Sequence, residues 1–341
     1  MRKVELRKSI KRGLPAINLS TNPLIAFVAF ALILSSVFSC RPASDASNKQ
    51  GLKGTITISG AFALYPMAVK WSEEFSKIHP GVRIDISAGG AGKGMADALS
   101  GIVDIGMVSR EVHPAETAKG AWPVAVTKDA VVATVNAGNP ALKDLLSRGV
   151  KLEALIGVWV TGKASTWGQV SGSGNQSPVN VYTRSDACGA AEVWSKYLGG
   201  RQEDLLGIGV YGDPGIAQAV SRDSLGIGYN NINFAYDARS RKQLPGIRVV
   251  PIDLNGNGRL DSDEDFYATL DQIDQAIASG KYPSPPAREL YFVLKGRPAA
   301  KPLQEFLKWV LTDGQKYLAE SGYIPLSAEK LKAELKRVEG K

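Results

Sequence analysis

In its first third the chain passes three times from a β-type segment into very small residues. The segments are GTITISG (54–60), VRIDISAGG (82–90) and VDIGMVSR (103–110). Helical patterns fill the gaps. LYPMAVKWSEEFSKIHPG (64–81) carries apolar residues at helical spacing and stops at Pro80-Gly81, and GKGMADALSG (92–101) is a shorter helix. Strand, helix and strand at this spacing predict a parallel α/β sheet with right-handed crossovers.

The next stretch, WPVAVTKDAVVATVNAGNP (122–140), is long, β-rich and without a helical pattern; ELYFVLKGRP (289–298) is a second such strand. Between them lies another α/β region: LEALIGVWVTG, PVNVYTRSDACG, AAEVWSKYLG and GIAQAVSRDSLGIGYNNI. After the return strand, PLQEFLKWVLTDGQKYLAESG (302–322) reads as one long amphipathic helix. The expectation is two lobes joined by two crossover strands, one from 51–135 and 287–341 and the other from 136–286, with a ligand cleft between them. No internal repeat is visible.

The formal charge of +8 is concentrated at the start of the chain. Residues 1–39 hold six basic side chains against Glu5, a balance of +5 that leaves +3 for the rest. The remainder has no basic stripe interleaved with aromatics, so nucleic-acid binding is not expected. The basic start precedes PLIAFVAFALILSSVF, too short for a comfortable membrane span, and then Ser39-Cys40. Val37-Phe38-Ser39-Cys40 resembles a bacterial lipobox, so 1–40 is expected to be a lipoprotein signal peptide with Cys40 as the acylated residue. Residues 41–53 read as a flexible linker. The protein is then exported and tethered to a membrane at the periplasmic or cell-surface side. Of its two cysteines, Cys188 is left without an intramolecular partner.

Three strand ends share one property: SGAFALYP, SAGGAGKGM and TRSDACGAAEVW each place small residues between a strand and a helix start. Amides at a helix start are unpaired and the helix dipole adds positive character, so an oxyanion is stabilised there. Arg184 and Arg110 offer bidentate contacts, and Asp186 orients Arg184 or accepts a ligand proton. GGAGKG is not a nucleotide loop, because Lys93 is followed by Gly94 and the GxGxxG spacing fails at Met95.

From about Gly54 to Leu326 the chain resembles the phosphate-binding proteins of bacterial ABC uptake systems, within the periplasmic-binding-protein superfamily. The resemblance is carried by SGAFALYPMAVKWSEEF, VDIGMVSRE, TRSDACGAAEVWSKYLG, LGIGYNNI and the terminal SGYIPLS. It implies a two-lobed type II clamshell that binds inorganic phosphate or a related oxyanion and delivers it to a membrane permease. It also implies a site built from Ala63 and Leu64, Gly90 and Ala91, Ser109 and Arg110, and Arg184, Asp186, Cys188, Gly189 and Ala190. Family hydroxyls fall on Ala63, on Gly90 or Ala91, and on Cys188 and Ala190, leaving backbone amides in their place. Cys188 has three readings: a ligand contact, a buried bystander, or a nucleophile; the helix start is expected to lower its pKa. Its only candidate bases are His79 and His113, and neither lies in a dyad motif.

A separate motif lies in the second lobe. DLNGNGRLDSDE places Asp253, Asn255, Asn257, Arg259 (through its carbonyl), Asp261 and Glu264 at the ligand positions of a calcium loop, with Gly258 at the turn. A structural Ca²⁺ is expected. No enzymatic activity is expected, since G-x-S-x-G and HExxH are absent. The alternatives are an anion sensor or surface protein on the same fold, or a secreted hydrolase. A monomer is expected.

Overall fold

The structure is a computed structural model and describes residues 51–340. The expected leader with Cys40, and the linker before Gly51, lie outside the described residues. No helix among the described residues is long and apolar enough to cross a membrane.

The strands are β1 (Gly54–Gly60), β2 (Val82–Ala88), β3 (Ile105–Val108), β4 (Ala121–Asn136), β5 (Val150–Lys151), β6 (Asn180–Arg184), β7 (Ile208–Val210), β8 (Gly226–Asn231), β9 (Ile247–Val249), β10 (Ile252–Asp253) and β11 (Ala287–Lys295). All but β5 and β10 form one sheet, ordered β2-β1-β3-β11-β4-β8-β6-β7, with β9 also on β4. β1 runs parallel to β2 and β3, as the strand–helix alternation requires. β6 runs parallel to β7 and β8. The antiparallel strands are those that cross: β11 against β3 and β4, and β4 against β8 and β9.

β4 explains how one sheet serves two cores. Its 16 residues pair with β11 from Ala121 to Ala130 and with β8 from Val131 onward. One hydrophobic core gathers residues 56–126 and 290–338. The other gathers residues 130–287, with Ile324 added from the C-terminal segment. Each core is therefore fed by both β4 and β11, and the passage between them falls near residues 126–130 and 287–290.

Local sequence sets the helices that face the cleft. The helix Tyr65–Ile78 has proline in its first turn and buries Met67, Ala68, Trp71 and Phe75 along one face. The helix Ala91–Ser100 lies close on β1, because Gly94 meets Gly60: a Cβ on Gly94 would stand 2.9 Å from Gly60 Cα. The expected single helix over 302–322 is interrupted. Lys301–Leu311 is helical and is followed by 3-10 turns at Asp313–Tyr317 and Ala319–Ser321. The chain breaks at Thr312, and the Gly314 carbonyl accepts the Trp71 indole N–H at 2.8 Å instead of continuing a helical ladder.

Candidate oxyanion site

β6 ends on Arg184, and the core fixes that end. The buried Tyr229 hydroxyl lies 2.9 Å from Thr183 Oγ1 and accepts the Arg184 backbone N–H at 3.1 Å. The guanidinium is then surrounded. Nε and Nη2 donate to the two oxygens of Asp186 at 2.8 and 2.6 Å, and Nη1 donates to Asp213 at 2.6 Å. The Phe62 ring covers the guanidinium, its centroid 5.6 Å away, and meets Tyr211 edge-on. Burial works against the charge of Arg184, but the Asp213 and Asp186 carboxylates outweigh it and hold its pKa above the ordinary value.

The helix Gly189–Tyr197 starts beside this arginine. Cys188 is its N-cap, and its Sγ accepts the Ala191 N–H at 3.3 Å. The expected lowering of the thiol pKa does not occur. Burial pushes it up to about 12, and the nearby Asp186 and Asp213 reinforce burial against Arg184 and the Ala191 amide. Among the described residues Cys188 has no disulfide partner.

The loops expected from sequence do converge. Gly90 lies against Asp186 and Ala187: a Cβ there would stand 2.8 Å from Asp186 Oδ2, and φ is +88°. The Gly92 N–H donates to the Ala187 carbonyl at 3.0 Å, tying the second loop to the 186–189 segment. Gly189 sits directly on the backbone of Ser109. Ala63 and Leu64 are buried, and the Ala63 carbonyl accepts the Tyr323 hydroxyl at 2.7 Å. Ala91 and Ala190 are buried at the starts of their helices.

Arg110 is the exception. Its guanidinium is bidentate on Glu116 at 2.7 and 2.8 Å, reaches the Glu111 carbonyl at 2.8 Å, and pairs with Glu192 of the opposite lobe at 2.9 Å. Those partners make it a bridge between the lobes. His113 adds a 3.2 Å contact to the same Glu192, and Lys196 pairs with Glu111 at 2.8 Å. Sequence reasoning missed Phe62 and Asp213. Asp213, in YGDPG, reads as an ordinary helix-start acid, and nothing local marks it as the partner of Arg184.

In the calcium-type loop, Asp253 accepts the Gly256 and Gly258 amides, and Glu264 accepts those of Leu254, Asn255 and Asp261. Asp261 is held by the side-chain amides of Asn255 and Asn257 and by Arg259. Among the described residues no group of three His, Cys, Asp or Glu side chains is arranged around a metal position.

Residues 45–314 match the family model of the PBP superfamily domain. The chain belongs to the periplasmic-binding-protein superfamily. Protein SphX of Synechococcus elongatus is 26% identical over 90% of this chain and 86% of its own. The phosphate-binding protein PstS of Pseudomonas aeruginosa is 25% identical over 89% of this chain and 94% of its own. The fold matches that of an ABC-type phosphate transport receptor from Vibrio cholerae, with TM-score 0.58 and 19% identity over 80% of this chain and 100% of that one. A Clostridium perfringens protein described as a phosphate ABC transporter substrate-binding protein, solved with bound phosphate, gives TM-score 0.66 and 22% identity over 80% of this chain and 100% of that one. The fold is thus the α/β clamshell of this superfamily.

Proposed function

We propose that the protein captures inorganic phosphate, or an oxyanion of the same shape, between its lobes and delivers it to an ABC permease. The observation that carries this reading is the buried guanidinium of Arg184 where loops of both lobes meet. A guanidinium has five N–H donors. Asp186 and Asp213 take three of them, leaving one N–H on Nη1 and one on Nη2 for an oxyanion. The first-turn amides of Gly189 and Ala190 add unpaired donors at a helix N-terminus, in place of the family's hydroxyls. The phosphate-binding names of the relatives support the ligand. The buried Cys188, its thiol pushed up to about 12, supports a binding role without nucleophilic chemistry. The leader and Cys40 support an exported, lipid-anchored protein. Titration with phosphate, sulfate, arsenate, molybdate and tungstate tests the reading, using the tryptophans as reporters; no response to any of them contradicts it.

We further propose a structural Ca²⁺ in the loop 253–264. Asp253 and Glu264 are buried, 3% and 4% exposed, and accept backbone N–H groups, while the nearby Lys151 ammonium donates to the Gly256 carbonyl at 2.7 Å. Hard oxygen donors at this spacing suit Ca²⁺, and a divalent cation would balance the buried charge. Asp261 would exchange Arg259 for the ion.

A further inference from the structure

The two strands that cross between the lobes are bonded to each other by a buried ion pair. Arg288 of β11 stands opposite Asp129 of β4, with Nε to Oδ1 at 2.8 Å and Nη2 to Oδ2 at 3.3 Å. Both lie where one hydrophobic core gives way to the other. Nη2 of Arg288 also donates to Oδ1 of Asn231, the last residue of β8. The backbone N–H of Asn231 donates to Asp213 Oδ1 at 3.1 Å, and the other oxygen of Asp213 holds Arg184 at 2.6 Å. From hinge to site the charges alternate in sign: Asp129, Arg288, Asp213, Arg184.

Every member is buried: Asp129 is 0%, Asn231 2%, Asp213 1%, Arg184 5% and Arg288 8% exposed. In a medium that screens weakly, removing one charge leaves its neighbours uncompensated, so the chain responds as a unit. Nε and Nη2 of Arg288 are engaged, but Nη1 is buried and has no hydrogen-bond partner among the described residues, so the position of Arg288 leaves part of its donor set unmet. A movement of one lobe about β4 and β11 would bend the backbone at Asp129 and Arg288, which lie where the two cores meet.

We infer that Arg288 and Asn231 are positioning residues for the anion-binding arginine, so that hinge geometry and ligand capture are coupled through Asp213. The inference rests on the oxyanion reading for its ligand but not for its geometry. The side chain of Asn231 is the link to remove, because Asn231→Ala deletes the acceptor for Arg288 and keeps the backbone N–H that holds Asp213. Arg288→Lys keeps the charge but loses the fork that reaches Asp129 and Asn231 together.

The test measures phosphate affinity and dissociation rate for the full chain and both variants, with circular dichroism melts as the folding control. Folded variants with affinity lowered at least tenfold, mainly through faster dissociation, are expected. Wild-type affinity and dissociation rate in both folded variants overturn the coupling. A stability cycle in urea reads the same link without ligand. Asn231→Ala with Arg184→Lys should lose less together than the sum of the single losses, and strict additivity overturns the link. If the wild type binds no oxyanion, the functional reading fails by itself and the stability cycle still decides the coupling.

Discussion

Arg184 and Asp213 face each other at 2.6 Å, Nη1 to Oδ2, each with a side chain only 1% exposed. Asp213 reaches the arginine from the helix Gly212–Arg222, which begins at a positive-φ glycine whose missing Cβ leaves room for Phe62. The pair ties the end of β6 to that helix start. Asp213→Asn keeps the shape but removes the carboxylate, leaving Asp186 as the remaining counter-ion. Breaking one partner of a buried pair costs about 3 kcal/mol. Urea unfolding should therefore show a loss of about that size, and an unchanged midpoint would mean that Asp213 does not hold the end of β6 in place.

Arg110 serves as a contrast. Its charge is spent on Glu116 and Glu192. Arg110→Ala should lower anion affinity by less than about tenfold, through weaker lobe closure, because partly exposed ion pairs contribute little. Abolished binding in calorimetry would show that Arg110 touches the ligand.

Selectivity follows from Asp186. Both its oxygens face the Arg184 fork, and Oδ1 also accepts the Gly212 N–H at 3.1 Å. A carboxylate so engaged is a weak acceptor for a ligand proton, so sulfate should compete with phosphate within about tenfold. Discrimination of more than about a thousandfold, erased by Asp186→Asn, would show that Asp186 accepts the phosphate proton.

Asp274 gives a pH signature. Burial raises its pKa to about 6, against the pull of Arg241. A carboxyl whose folded pKa is raised binds its proton more tightly in the folded state. Its contribution to stability therefore increases as pH falls through about 6 and levels off near the unfolded value of 3.8. The gap is worth about 3 kcal/mol as an upper figure. Asp274→Asn should stabilise the protein at pH 7 and flatten the pH dependence of unfolding between pH 7 and 4. An identical pH profile in the variant contradicts this.

The calcium loop is tested by melting. An ion bound by the folded state alone raises the melting temperature by mass action. Adding a chelator should lower it, and Glu264→Gln should abolish the difference. Equal melting curves with and without Ca²⁺ would leave the segment a turn held by its own hydrogen bonds.

The fold was legible because its signals are local. Period and glycine punctuation mark β1, β2 and β3, and the long β4 is visible as a β-rich run without breaks. Arg184 and the small residues at 89–91 and 187–190 were legible for the same reason. The rest depends on contacts distant in sequence. Asp186 was legible beside Arg184, but Glu192 takes Arg110 across the cleft and Asp213 takes Arg184 from another helix, and these distant partners cannot be read from either arginine's neighbours. Cys188 shows the same limit. Its helix-start position is local and favours a thiolate, whereas its burial in the second lobe is set by tertiary packing and wins. The 302–322 helix breaks at Thr312, and Trp71, far upstream, takes the Gly314 carbonyl just beyond the break.

The most direct test of the oxyanion site is calorimetric titration of phosphate into the wild-type protein and Arg184→Ala, with folding checked by circular dichroism. Truncating one partner of a buried charged contact costs about 3 kcal/mol, more than about a hundredfold in affinity. Saturable one-to-one binding to the wild type, weakened by at least that factor in a folded Arg184→Ala variant, is the predicted result. Equal affinity in the two proteins would place the anion elsewhere, and no binding to the wild type would contradict phosphate capture itself.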